Sequence, residues 1–141
     1  MSNYIYYDYA SSQVCKVKED SNEYIKASNI PSYLDTLCLE NGSSLKGRMD
    51  AFKHIMQKKK FIPIIVHSSL IYFPIKSTSA YDCIWINYFS IEHIVYTKKI
   101  CTIYFYDHTY LECSHPKRIQ QTLYAIRRYL YILATRTTTT G

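Results

Sequence analysis

Between Cys83 and Cys113 the chain packs four short runs rich in β-branched and aromatic residues, closed by two very tight reversals. The runs are Cys83 to Phe89, Glu92 to Thr97, Ile100 to Tyr106 and Thr109 to Cys113, and the reversals are Lys98-Lys99 and Asp107-His108. Strands joined this tightly run antiparallel, so the stretch predicts an antiparallel meander.

The rest of the chain fits around that sheet. Tyr4 to Tyr9, Gln13 to Val17 and Glu23 to Ala27 alternate weakly between polar turns and predict short strands. The turn residues Asn41-Gly42-Ser43-Ser44 then supply an N-cap, and Leu45, Met49, Phe52 and Met56 recur at the spacing of one helix face. That internal helix is expected to end near Lys60, where Gln57-Lys58-Lys59-Lys60 suits the negative end of the helix dipole and Pro63 follows. Phe61 to His67 and Leu70 to Ile75 predict a hairpin through Ser68-Ser69, with Pro63 and Pro74 marking an edge, and Lys76 to Asp82 a polar loop. A final helix from Ser114 or Pro116 carries Ile119, Leu123, Ile126, Leu130 and Leu133 as a stripe to dock on the sheet. The threonine-rich end, 135–141, has nothing to bury and is expected to be frayed or disordered. The expected architecture is α+β: a β-rich antiparallel meander with one internal and one C-terminal helix, in a single domain over 1–134.

Charge is unevenly placed. The net charge is +6 overall, yet residues 1–45 sum to −3 and residues 46–141 to +9. A basic surface of this kind attracts polyanions, nucleic acid or anionic lipid alike. The five cysteines are odd in number, contain no Cys-x-x-Cys pair and sit in part within apolar strands such as Cys83-Ile84-Trp85-Ile86, which predicts small buried hydrophobes in a reducing cytoplasm. The first residues lack the basic and apolar regions of a secretory signal, and no apolar run approaches a membrane span.

Two segments concentrate the positive charge. Lys46, Arg48, Lys53, Lys58, Lys59 and Lys60 face only Asp50 within 46–60, a local charge of +5. Lys46, Lys53 and Lys60 repeat every seven residues beside the apolar stripe and could track a phosphate backbone, although a solvated face serving solubility fits the spacing equally. The second segment, 114–141, holds Lys117, Arg118, Arg127, Arg128 and Arg136 without an acid. Lys117, Gln121, Tyr124, Arg128 and Tyr131 lie opposite its apolar stripe, open to phosphate contact or to dimer packing. Most of the sixteen tyrosines alternate along strands, where cross-strand pairing accounts for them better than base stacking.

Catalysis finds little support. The histidines are scattered, and His108, Cys113 and His115 match no zinc spacing. No nucleophile elbow, phosphate-binding glycine loop or carboxylate pair is present, and no cofactor or metal is expected.

One continuous block, Cys38-Leu39-Glu40-Asn41-Gly42-Ser43-Ser44-Leu45-Lys46-Gly47-Arg48, resembles the signature of the competence transcription factor (ComK) family: a cysteine, a Gly-Ser-Ser turn and a Gly-Arg pair. Similar family segments follow in order at Ile62-Pro63-Ile64-Ile65-Val66, at Ile71 to Ser79 with its Phe73-Pro74, and at Cys83-Ile84-Trp85-Ile86-Asn87. The resemblance is to a short or divergent member and covers about residues 35 to 95. It implies an activator of DNA-uptake genes, cytoplasmic and nucleoid-associated, that recognises paired A/T-rich boxes of double-stranded DNA largely through the minor groove. It further implies a homo-oligomer, a dimer or pair of dimers, that works with RNA polymerase and not with a membrane. Longer members of that family extend past the last matched helix, so the resemblance does not carry over regulation by proteolytic adaptors.

Charge clustering then nominates two contact surfaces, Lys46, Arg48, Lys53, Lys58, Lys59 and Lys60 as one and Lys76, Arg127 and Arg128 as the other. Two rival readings share the same order of elements: a pleckstrin-homology-like module for lipid or protein, and a LytTR-like DNA-binding regulator using the strand pair within Ile91 to Leu111.

Overall fold

The computed structural model describes residues 2–19, 21–78 and 80–139. Ser79 of the expected polar loop and residues 140–141 of the expected frayed tail lie outside them. Among the described residues there are nine strands and three α-helices. In chain order these are β1 (Tyr4–Asp8), β2 (Gln13–Val17), β3 (Asn22–Lys26), α1 (Ile30–Glu40), α2 (Leu45–Met56), β4 (Ile64–His67), β5 (Leu70–Pro74), β6 (Trp85–Asn87), β7 (Ile91–Tyr96), β8 (Ile100–Phe105), β9 (Tyr110–Ser114) and α3 (Pro116–Thr139). They form an antiparallel six-stranded sheet in the order β3-β2-β1-β6-β5-β4 and a three-stranded sheet, β7-β8-β9.

The α+β class predicted from the sequence is the one observed, with three differences in detail. The segment expected as a single strand over 83–89 is divided: Trp85–Asn87 pairs with both β1 and β5, and a 3-10 turn at Tyr88–Ser90 carries the chain into the second sheet. Only β7, β8 and β9 therefore form the meander. There are two internal helices instead of one, and α3 continues to Thr139, into the stretch expected to be frayed.

Side chains in the middle of the larger sheet alternate between two cores. Ile64, Val66, Tyr72 and Trp85 point to the face covered by α1, where they meet Ile30, Tyr33, Leu34 and Cys38. Ile65, Ile71, Phe73 and Ile86 point the other way, into a second cluster with Cys101, Ile103 and Phe105 of β8 and Ile119, Ile126 and Tyr129 of α3. A strand buried on both faces reads as a continuous apolar run, the appearance of Ile62 to Val66 and Ile71 to Ile75.

The corner between α1 and α2 is set by local hydrogen bonds. Asn29 caps α1 by accepting from the Ser32 amide at 2.8 Å, with Pro31 in the first turn. At the other end Gly42 takes a positive φ of 93°, and the Ser43 amide donates back to the Cys38 carbonyl at 3.1 Å, a Schellman-type close. Ser44 then caps α2 by accepting from the Gly47 amide at 2.9 Å, and the Asp35 carboxylate accepts from the Leu45 amide at 2.8 Å. A Cβ at position 47 would stand 2.9 Å from the Ser43 hydroxyl, which is why glycine fits there.

The N-terminal segment is clamped by Asn87, which is fully buried. Its side-chain amide donates to the Ser2 carbonyl at 3.0 Å and its side-chain oxygen accepts from the Phe89 amide at 3.2 Å. Asn87→Ala is expected to lower stability by about 1–3 kcal/mol, because the Phe89 amide loses its partner inside the protein. Urea denaturation measures this, and a loss under about 0.5 kcal/mol would mean that water already serves those groups.

Candidate nucleic-acid interface

Helix α2 ends earlier than its lysine run. Gln57 adopts a left-handed backbone, φ 55°, and its amide closes the helix on the Lys53 carbonyl at 2.9 Å. Phe61 is left-handed too, φ 54°, a costly conformation for a bulky side chain. Lys58, Lys59 and Lys60 therefore leave the helix between two left-handed residues.

Lys59 and Lys60 turn back toward α2 and, with Lys53, line a cleft of about 380 Å³. Ser77 and Thr78 line it as well, and Met49, Phe61 and Ile62 supply its apolar part. A second cleft, lined by Lys53, His54, Gln57, Lys58 and Lys59, adjoins it. No carboxylate lines either one among the described residues. Partial burial lowers the Lys58 ammonium below the ordinary lysine range.

Arg118 ties this segment to the sheet. Its guanidinium lies over the Phe61 ring, 4.3 Å from the centroid, and donates to the Ile75 carbonyl at 2.7 Å. The two cation-rich helices are thus side by side, joined also by the Phe52 and Tyr129 rings at 4.8 Å.

The remaining nominated residues divide by what they touch. Lys46 donates to Asp50 at 2.7 Å, a hydrogen bond that raises the lysine and lowers the carboxyl from their ordinary ranges. Lys76 likewise pairs with Asp82. It precedes Ser77 and Thr78, so it neighbours the α2 cleft, whereas charge clustering grouped it with Arg127 and Arg128. Arg48 donates to the Asn41 carbonyl at 2.9 Å and lies near Cys38 and Tyr129, with its Nε buried and unpartnered. Its guanidinium closes the α1–α2 corner.

On α3, Lys117, Gln121, Tyr124, Arg128 and Tyr131 are all exposed, and Ile119 and Ile126 are buried on the opposite side. Arg128 stands 5.7 Å from the Tyr131 ring centroid. Arg127 lines a separate cleft of about 490 Å³ between β7 and α3, with Tyr88, Tyr96, Glu92 and Gln120. Burial raises both tyrosines above their ordinary range, and the Arg127 charge works against that rise. Among the described residues, Lys53, Lys58, Lys59, Lys60, Arg127 and Arg128 take part in none of the ion pairs.

The sequence profile of the ComK protein family matches residues 4–138. The chain belongs to the ComK family. No curated protein and no solved structure matches it. ComK is a family of competence transcription factors, not of enzymes. All five cysteines are buried and free of disulfides. Burial raises the thiols of Cys38, Cys83 and Cys101 above their ordinary range, and Cys113 is pushed up to about 12 by burial and by the neighbouring Cys101. No group of histidine, cysteine and carboxylate side chains suited to a metal occurs among the described residues. No helix among them is long and apolar enough to cross a membrane.

In this ComK chain the Cys38 to Arg48 block is the α1–α2 corner itself: a glycine in the left-handed turn, a serine cap, a glycine under the serine hydroxyls and an arginine across the joint. Arg118, Phe61, Ser77 and Thr78 were not among the residues nominated from the sequence. The acid-free composition of α3 flagged Arg118, but only as a surface charge. Nothing local marks Phe61, Ser77 or Thr78, because they meet the lysines through tertiary folding.

Proposed function

We propose that this ComK-family chain is a DNA-binding transcription activator of competence genes that recognises A/T-rich promoter boxes. Lys53, Lys58, Lys59 and Lys60 form one contact surface, and Arg127, Arg128 and Lys117 a second on the adjoining helix. The observation that carries this reading is the set of six nominated cations that take part in no ion pair among the described residues, carried on or beside two touching helices, where lysine and arginine can replace the counterions of backbone phosphates. Arg128 is assigned the role of entering a narrow A-tract minor groove, whose negative potential favours arginine; its exposure on an acid-free helix supports this. Lys46 and Lys76 join by exchanging their carboxylates for phosphates. Arg48 contributes by holding the corner that aims α2. The protein acts on DNA as a homo-oligomer and engages RNA polymerase, as its family implies.

Gel retardation on A/T-rich duplexes across a salt series, beside sedimentation with anionic vesicles, tests the reading. Duplex affinity is expected to fall with salt with a logarithmic slope of about −4 or steeper, matching four or more phosphate contacts. Preference for vesicles, or no retardation of any duplex at low ionic strength, would remove the proposal.

A further inference from the structure

We propose that the cleft between Lys53, Lys59, Lys60 and Ser77-Thr78 is a preformed seat for a tetrahedral oxoanion, occupied in the DNA-bound protein by one backbone phosphate. This inference rests on the DNA-binding reading for its natural ligand, but the seat itself rests on geometry.

Three lysines from two stretches of chain line one cleft of about 380 Å³. Like charges brought together repel one another, and nearby acids ordinarily relieve that repulsion. No carboxylate lines this cleft among the described residues; Asp50, which also feels the Lys53 charge, is hydrogen-bonded to Lys46, and Asp82 is paired with Lys76. An anion is the missing countercharge. The apolar part of the lining, Met49, Phe61 and Ile62, lowers the local dielectric and strengthens attraction to a seated anion. Thr78 brings a hydroxyl group of the kind that hydrogen-bonds an oxoanion, and Ser77 lines the cleft beside it. The chain also accepts two left-handed residues, Gln57 and Phe61, in placing the lysines here, and such backbone costs concentrate at functional sites. A flat solvated lysine face would need neither the fold-back nor the Arg118 clamp over Phe61.

The test uses the full chain, with sodium pyrophosphate and an A/T-rich duplex as separate probes, by calorimetry and fluorescence anisotropy at matched ionic strength. Lys53→Gln/Lys59→Gln/Lys60→Gln removes the seat. Lys26→Gln/Lys98→Gln/Lys99→Gln removes the same charge from exposed positions elsewhere. Circular dichroism checks folding, and single Lys60→Gln and Thr78→Val variants repeat the measurement with minimal disturbance.

The seat predicts pyrophosphate binding at least about tenfold weaker in the cleft variant than in the charge-matched one, since it loses charge-assisted hydrogen bonds as well as net charge. Duplex affinity should fall in the cleft variant, with a salt slope shallower by about one for each phosphate it no longer neutralises. Equal pyrophosphate binding by the two variants, or none by the unaltered chain, overturns the seat. Loss of pyrophosphate with unchanged duplex affinity overturns its assignment to a backbone phosphate. Pyrophosphate held in the cleft of a chain that retards no duplex supports the seat while removing the DNA-binding function itself.

Discussion

Phe52→Ala is expected to destabilise the protein by about 3–5 kcal/mol, the usual cost of emptying a large aromatic site in a packed core. Phe52 is fully buried, and its ring meets Tyr129 across the α2–α3 contact at 4.8 Å. The same cluster holds Ile65 and Phe73 of the large sheet and Phe105 of the small one, so the cavity would open where α2, α3 and both sheets meet. In a chain of this size the melting temperature should drop on the order of 10 °C. Phe52→Leu, which retains most of the volume, should cost about 1.5 kcal/mol or less. Thermal and urea denaturation of the pair check the prediction. A loss below about 1 kcal/mol for the alanine variant would contradict the packing of α2 on α3.

Arg118→Ala should cost about 2 kcal/mol, because it removes a charge-assisted hydrogen bond to Ile75 and the stacking over Phe61. The figure is held down by the Nε atom, which is buried without a partner and so already carries a desolvation cost in the native state. Arg118→Lys keeps the charge but loses the planar group, and about half of the stability should return. Duplex affinity separates two roles. As a positioning residue that fixes Phe61 and the lysines beside it, Arg118 should give weakened binding in both variants. If the lysine variant binds as tightly as the unaltered chain, Arg118 acts through its charge alone and the positioning role falls.

Much of the fold is legible locally. β2 begins and ends at the residues that alternation marks, and α3 starts at Pro116 with its apolar stripe facing inward. Even α1, absent from the elements predicted, carries its signal: Ile30, Tyr33, Leu34, Leu37 and Cys38 follow the helix period behind an asparagine cap and a proline. The end of α2 was harder to place. A lysine run suits a helix C-terminus, but nothing in Gln57 or Phe61 announces a left-handed backbone, since neither is glycine. Phe61 stacks against an arginine distant in sequence, a contact that no local pattern foretells.

Charge clustering nominated the lysines at 53 and 58–60 and the arginines at 127 and 128, and it counted Arg48 and Arg118 as cations of the same kind. In the structure these two guanidiniums instead donate to the carbonyls of Asn41 and Ile75. A sequence counts cations, but whether a cation meets a carbonyl, a carboxylate or open solvent depends on which segments converge around it.

The amino-acid order alone determined the secondary-structure alphabet, the placement of positive charge after residue 45 and the resemblance that the family match upheld, because each is written in near-neighbour spacing. Tertiary structure decided that Trp85–Asn87 joins the N-terminal strands to the β4–β5 hairpin, that Arg48 and Arg118 act as braces, and that Ser77 and Thr78 line one cleft with three lysines. Those outcomes depend on contacts between residues far apart in the chain, which arise only when the two apolar faces of the central strands are both covered.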